Sequence, residues 1–305
     1  MRGIIATFLV LVAVAGSGLF WFGHGGREDV LVFDGQHMDD LLWRVAHPVA
    51  KPNLPQMPPG DRRAYDWVPR ARFFPIAHAL GSSRPDEMNT LAALGRSYAA
   101  GFRLFEVDIS VTRDNRLICR HDTPDADEDS FTYSDFLAEN RRLGKKENCV
   151  FADLVRAVSD HPDIYIILDV KNRFDDAYRL MRQTIGAGGL GRRFIPQLYD
   201  FSELPPFRRD DFFAGPIFTS YRSWYTTRQI MAYARQYDLP VVTLSDWRLR
   251  RLPPGDPILR SRILLGHPMD NLAAAEEWKA WGLRAIYTFT LAPNQVPSLY
   301  QDPPR

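Results

Sequence analysis

The run Ile164-Tyr165-Ile166-Ile167-Leu168 has no polar residue at alternate positions, so a strand formed here must be covered on both faces. Similar short apolar runs recur at residues 73–78, 104–109, 117–120, 194–197, 217–221, 241–244, 262–266 and 285–288. Amphipathic stretches with helical spacing fall between many of them, at residues 90–100, 151–159, 175–185, 224–237 and 273–281. A strand buried on both faces and followed by an amphipathic helix belongs in a parallel sheet with helices packed outside it. About eight main strands in this alternation predict an α/β chain closed into a (β/α)8 TIM barrel, with a doubly wound open sheet as the alternative. The 305 residues suffice for one such barrel and its extensions, and 45% hydrophobic against 25% charged residues excludes disorder. A formal charge of +1 leaves no broad electrostatic footprint for nucleic acid, so none is expected as a partner.

The N-terminus predicts a different element. From Ile4 to Phe22 the chain is uncharged, with Arg2 before it and Arg27-Glu28-Asp29 after it. Read as a helix, this run spans a hydrocarbon core of roughly 30 Å. Residues 1–26 are therefore expected to be a transmembrane signal-anchor, with the rest of the chain extracytoplasmic; cleavage after Ala13-Val14-Ala15 would instead release a secreted protein. Prolines crowd residues 47–60 and mark residues 27–70 as a linker. The barrel domain is expected at 71–292 and a proline-rich tail at 293–305. In an oxidising space Cys119 and Cys149 can pair, and two buried free thiols are the equal alternative.

Side chains able to do chemistry gather where the predicted strands end, which is where barrel enzymes build their sites. His78 ends the first strand. Glu106 and Asp108 are spaced i, i+2 and so share one face of the second, while Asp169 and Lys171 repeat that spacing at the end of another. His121 follows the short strand at 117–120. Phe105, Val107 and Ile109 flank the two carboxylates, so these are buried and need partners. A salt bridge to Lys171 or Arg103 would be the functionless solution. The remaining histidines, His24, His37, His47, His161 and His267, are read as structural.

Three converging carboxylates repel one another unless a cation intervenes, and an all-oxygen ligand set selects Ca²⁺ or Mg²⁺. The metal together with Lys171 would let an anionic phosphodiester approach. His78 and His121 then suit general base and general acid, one deprotonating an attacking hydroxyl and the other protonating a leaving oxygen.

At these residues the sequence resembles the glycerophosphodiester phosphodiesterase family, within the phosphatidylinositol-phospholipase-C-like phosphodiesterases. The resemblance lies in Ile76-Ala77-His78, Asn89-Thr90-Leu91-Ala92-Ala93, Gly101-Phe102-Arg103-Leu104-Phe105-Glu106-Val107-Asp108, Arg120-His121-Asp122 and Leu168-Asp169-Val170-Lys171. It continues in Ile195-Pro196-Gln197 and Gly282-Leu283-Arg284-Ala285-Ile286-Tyr287-Thr288. It implies a metal-dependent barrel hydrolase with His78 and His121 as the acid–base pair, Glu106, Asp108 and Asp169 as metal ligands, and Lys171 as a phosphate contact. It also implies a substrate hydroxyl that attacks the neighbouring phosphate, giving a cyclic phosphate before water completes hydrolysis.

Three positions depart from the family pattern. Ala79 stands where an arginine usually follows the first histidine, which leaves Arg222 as a candidate replacement contact. Met88 stands where a glutamate usually precedes the Asn-Thr pair, with Glu87 one position away, and Asp169 replaces a common glutamate. The expected substrate is a small phosphodiester or a lysophospholipid. The alternatives are a lysophospholipase-D-like or phospholipase-C-like activity on lipid head groups, for which exposed Trp224 and Tyr225 would speak, and a degenerate barrel that binds a phosphorylated ligand without turnover.

Overall fold

The computed structural model describes residues 10–14, 17–24, 27–34, 52, 54, 60–69, 73–121 and 130–300. It divides into two units, Met1–Lys51 and Pro52–Arg305. In the first, β1 (Val10–Val14), β2 (Ser17–His24) and β3 (Arg27–Asp34) form an antiparallel sheet. The described parts of the segment expected to be a transmembrane helix, residues 10–14 and 17–22, are strands, while residues 4–9, 15 and 16 of it lie outside the described residues. The run is rich in β-branched and aromatic residues, and glycines at 16, 18 and 23 weaken it as a helix. Among the described residues no helix is long and apolar enough to cross a membrane.

In the second unit eight parallel strands close into a barrel. These are β4 (Phe74–Ala77), β5 (Leu104–Val111), β7 (Tyr165–Val170), β8 (Phe194–Leu198), β9 (Ile217–Thr219), β10 (Val241–Ser245), β11 (Ile263–His267) and β12 (Ala285–Thr288). Each pairs with the next, and β4 closes the ring by pairing with both β12 and β5. The short β6 (Leu117–Cys119) lies outside the ring, antiparallel to β5. The closed barrel, rather than the open sheet, is therefore the architecture.

The outer helices begin where side chains can satisfy their first amides. Thr90 accepts from Ala93 N at the start of α1 (Leu91–Ala99), and Thr132 with Asp135 forms a capping box on α2 (Tyr133–Arg142). Further along come α3 (Phe151–Asp160), α4 (Phe174–Ile185), α5 (Pro205–Arg209), α6 (Thr227–Gln236), α7 (Asp246–Leu249) and α8 (Leu272–Trp281). The short α2 was not expected from the sequence. Its face is mostly polar, and only Phe136 and Asn140 are buried. A glycine at 266 lets α8 approach β11: a Cβ there would sit 2.3 Å from the Trp278 ring.

Two apolar layers fill the space between strands and helices, one around Phe105, Val107, Ile109, Leu154 and Ile166, the other around Phe218, Leu244, Leu264 and Trp278. A third cluster fills the barrel itself: Phe74, Ile76, Leu104, Ile167, Ile195, Ile217, Val241, Leu265 and Ala285. The strands therefore alternate between the barrel interior and the helix layer with period two. The segment 60–69 packs with this interior cluster, with Trp67 2% exposed and its indole donating to Gly215 O. Residues expected to be linker and tail thus belong partly to the barrel unit, which starts at Pro52 and also buries Leu299. A disulfide joins Cys119 to Cys149, tying β6 to the start of α3, with Cα atoms 5.4 Å apart.

Candidate active site

Because inward positions recur every second residue, each strand that buries an apolar side chain low in the barrel presents a polar one higher up. Leu104 is followed by Glu106 and Asp108, Ile167 by Asp169, Ile195 by Gln197 and Tyr199, Ile217 by Thr219 and Tyr221, and Leu265 by His267. Asp108 and Asp169 stand opposite each other in the register of β5 and β7. The site is thus the C-terminal end of the same inward series that forms the barrel core.

Glu106, Asp108 and Asp169 are each at most 2% exposed, and one oxygen from each lies within 4.8 Å of the others. Lys171 sits between two of them, its Nζ 2.6 Å from Asp108 Oδ1 and 2.7 Å from Asp169 Oδ2. Asn89 fixes Asp108 twice, donating to Oδ2 at 2.7 Å and accepting from the Asp108 amide at 3.1 Å. Asn89 holds a left-handed φ of 56°, a conformation that asparagine tolerates better than most residues. Glu106 Oε2 accepts from the Ala79 amide at 2.8 Å, whereas Oε1 is buried with no hydrogen-bond partner.

Two tyrosines the sequence reading overlooked complete the ring around Asp169. Tyr199 donates to Oδ1 at 2.6 Å and Tyr221 donates to Oδ2. Behind them Gln197 donates to Tyr199, Tyr287 donates to Gln197, and the Tyr287 hydroxyl meets Thr243, so hydrogen bonds cross the barrel from β10 to Asp169. The available signal was the period-two continuation of the strands at 194–197 and 217–221, which puts Tyr199 and Tyr221 on the inward face.

His78 follows β4, with its Nε2 3.7 Å from Glu106 Oε2 and its ring stacked on Phe289 at 4.4 Å. The Phe289 loop is itself anchored by Asp270, whose Oδ1 accepts from Thr288 Oγ1, Phe289 N, Thr290 N and Thr290 Oγ1. His267 ends β11, and its Nε2 lies 3.2 Å from that of His78, so it belongs to the site rather than to the packing role expected of it. His121 is exposed just past β6. Arg222 is exposed at the rim, over the Tyr199 ring at 4.9 Å. Glu87 is engaged by Arg96 and Ser82 and stands outside the carboxylate group. Tyr225, whose helical spacing favours packing, is 3% exposed and bonds Asp200; among the described residues the tryptophan that stands out as exposed is Trp247, shortly after β10.

Electrostatics follow from this burial. Burial, then the neighbouring Asp108 and Asp169, pushes the Glu106 carboxyl well above its usual range. Burial also pushes Asp169 up, but Lys171 and the two tyrosine hydroxyls outweigh it and hold that carboxyl at about 2. Burial lowers His78 to about 4, with Asp108 opposing. The ammonium of Lys171 is held charged against its own burial by Asp108 and Asp169. One ammonium against three carboxylates leaves the cluster short of positive charge, and the unpartnered Glu106 Oε1 is an oxygen ligand without a donor. The donor set fits a hard divalent cation.

A closed parallel barrel carries this site at its C-terminal mouth, the end at which barrel enzymes build theirs. Residues 78–177 match the model of the glycerophosphoryl diester phosphodiesterase family, the same family that the motifs resemble. Solved structures agree on the fold. A glycerophosphodiester phosphodiesterase from Parabacteroides distasonis is 18% identical with a TM-score of 0.61, over 75% of this chain and 97% of its own. One from Thermotoga maritima is 16% identical with a TM-score of 0.55, over 74% and 97%. A phosphodiesterase from Oleispira antarctica, solved with the product sn-glycerol-3-phosphate, is 16% identical with a TM-score of 0.55, over 77% and 98%. No curated protein matches the chain.

Proposed function

We propose that this chain hydrolyses glycerophosphodiesters to an alcohol and glycerol phosphate, with His78 and His121 as the acid–base pair. The observation that carries the reading is the buried trio Glu106, Asp108 and Asp169, gathered within 4.8 Å at the strand ends. These residues would hold Ca²⁺ or Mg²⁺, which supplies Lewis-acid polarisation of a phosphoryl oxygen. Lys171 adds positive charge beside the same oxygens, and Arg222 at the rim meets the remaining phosphate charge. One imidazole takes the proton of the attacking hydroxyl as the new P–O bond forms, and the other protonates the leaving alkoxide as its P–O bond breaks. When water opens the resulting cyclic phosphate, the two roles exchange.

The test is incubation of the protein with a panel of glycerophosphodiesters and lysophospholipids under Ca²⁺, Mg²⁺ or EDTA, followed by phosphorus NMR. Metal-dependent loss of a glycerophosphodiester signal is the expected result. Folded protein that turns over no diester under any metal would leave a phospho-ligand-binding barrel instead. Trp247 is 41% and Leu272 44% exposed on the connections that leave β10 and β11 on the site side, which favours lysophospholipids as a second substrate class. The Cys119–Cys149 disulfide supports an extracytoplasmic location, with the apolar segment 4–22 as the export signal or anchor.

A further inference from the structure

The acid–base reading uses His78 and His121 and leaves His267 without a task. Building on that reading, we propose that His267 is a positioning residue of the reaction, holding the His78 ring through one Nε2–H···Nε2 hydrogen bond. The two nitrogens are 3.2 Å apart. Two lone pairs, or two N–H groups, cannot face each other at that distance, so one nitrogen carries the hydrogen and the other accepts it. The tautomers of the two rings are thereby coupled.

Each ring is held for this purpose. His267 is the last residue of β11, in register with Ser245 on β10, and its backbone is fixed by the ladder. Its ring lies against Tyr221 at 5.0 Å and 17°, and edge-on to Tyr287 at 4.9 Å. His78 has Phe289 stacked on its face at 25°. Its Nδ1 is buried with no partner, and Glu106 Oε2 at 3.7 Å is beyond hydrogen-bond reach. Among the described residues the His267 bond is therefore the one hydrogen bond that orients the His78 imidazole. Tyr221 also donates to Asp169, so a single aromatic stack ties the orientation of His78 to the carboxylate side of the site.

The experiment uses the full chain with ¹⁵N-labelled imidazoles and compares it with His267→Phe, which keeps the stack and removes the bond, and His267→Gln, which restores a polar side chain. The readouts are the His78 tautomer by NMR, kcat and KM on the diester identified in the panel, and a Mg²⁺ titration as control. Expected for His267→Phe are a kcat lowered about 10- to 100-fold with KM and Mg²⁺ affinity near wild type, and a changed His78 tautomer signature. His267→Gln should recover part of kcat. Wild-type kcat, or an unchanged His78 signature in His267→Phe, would overturn the assignment. Should that variant not fold, His267→Ala carries the same two outcomes. If the wild-type protein turns over no diester, the proposed function fails, while the NMR comparison still decides the bond.

Discussion

At the scale of single residues the site is governed by which carboxylate is allowed its charge. Glu106 is raised by burial and by its two acidic neighbours, so as a metal ligand it would first have to give up a proton below that raised value. Metal affinity should therefore climb with pH, and calorimetry in two buffers of different ionisation enthalpy should register proton release. An affinity flat across pH 5–8 would take Glu106 out of the ligand set. Asp169 behaves oppositely. Its folded value of about 2 lies below the unfolded one, so its contribution to stability is present above roughly pH 4 and is lost as pH falls toward 2. Asp169→Asn should lose that acid limb in a pH-dependent melt and also weaken metal binding. His78→Ala and His121→Ala should each lower kcat about 10²- to 10⁴-fold with metal affinity retained. An undiminished rate in either variant would free that histidine from its role.

Secondary-structure elements set how rigidly these residues are presented. β5 is buried along its whole length, so Glu106 and Asp108 cannot relax toward solvent. The loop after β12 depends instead on one carboxylate, since Asp270 Oδ1 receives two backbone amides and two hydroxyls. Asp270→Ala hands those donors, most of them exposed, to water and should cost about 0.5–1.5 kcal/mol, read from thermal unfolding. It should also loosen Phe289 from His78 and lower kcat more than it changes KM; equal stability and equal kcat would show the anchor to be dispensable. The left-handed residues Ala79 and Leu80 explain how β4 delivers His78. The chain turns sharply right after the ring, and the Ala79 amide reaches Glu106 in doing so.

For the molecule as a whole, the Cys119–Cys149 link closes a sequence separation of 30 between β6 and α3, beside the strand that carries two of the three carboxylates. In the loop-entropy account such a link stabilises by about 3–4 kcal/mol. Cys149→Ser should lower the unfolding free energy by that order, measured by denaturant titration under non-reducing conditions. A variant as stable as the parent would mean that the link contributes nothing to folding. Barrel closure by β4 against both β12 and β5 brings residues from the two ends of the domain together, so that His78 and Phe289 come into contact.

Much of this was legible in the chain itself. Period-two and helical patterns determine the strand–helix alternation, and the i, i+2 spacing of Glu106 with Asp108 and of Asp169 with Lys171 places those side chains together on inward faces. Local spacing is a covalent property and needs no tertiary information. The roles of His267, Tyr199 and Tyr221 were not legible. The expected strands at 194–197 and 262–266 stopped just short of Tyr199 and His267, Tyr221 closed the one at 217–221 with nothing local to mark it, and each of the three meets a partner tens of residues or more away in sequence. A lone histidine after Gly266 reads as packing until barrel closure brings β11 near β4. The N-terminal run shows the converse limit: hydropathy reports that a segment avoids water, but strand or helix is decided by how its backbone amides find partners. Sequence determined which residues point inward; only the closed ring decided which of them face one another, because that depends on contacts across the barrel rather than along the chain.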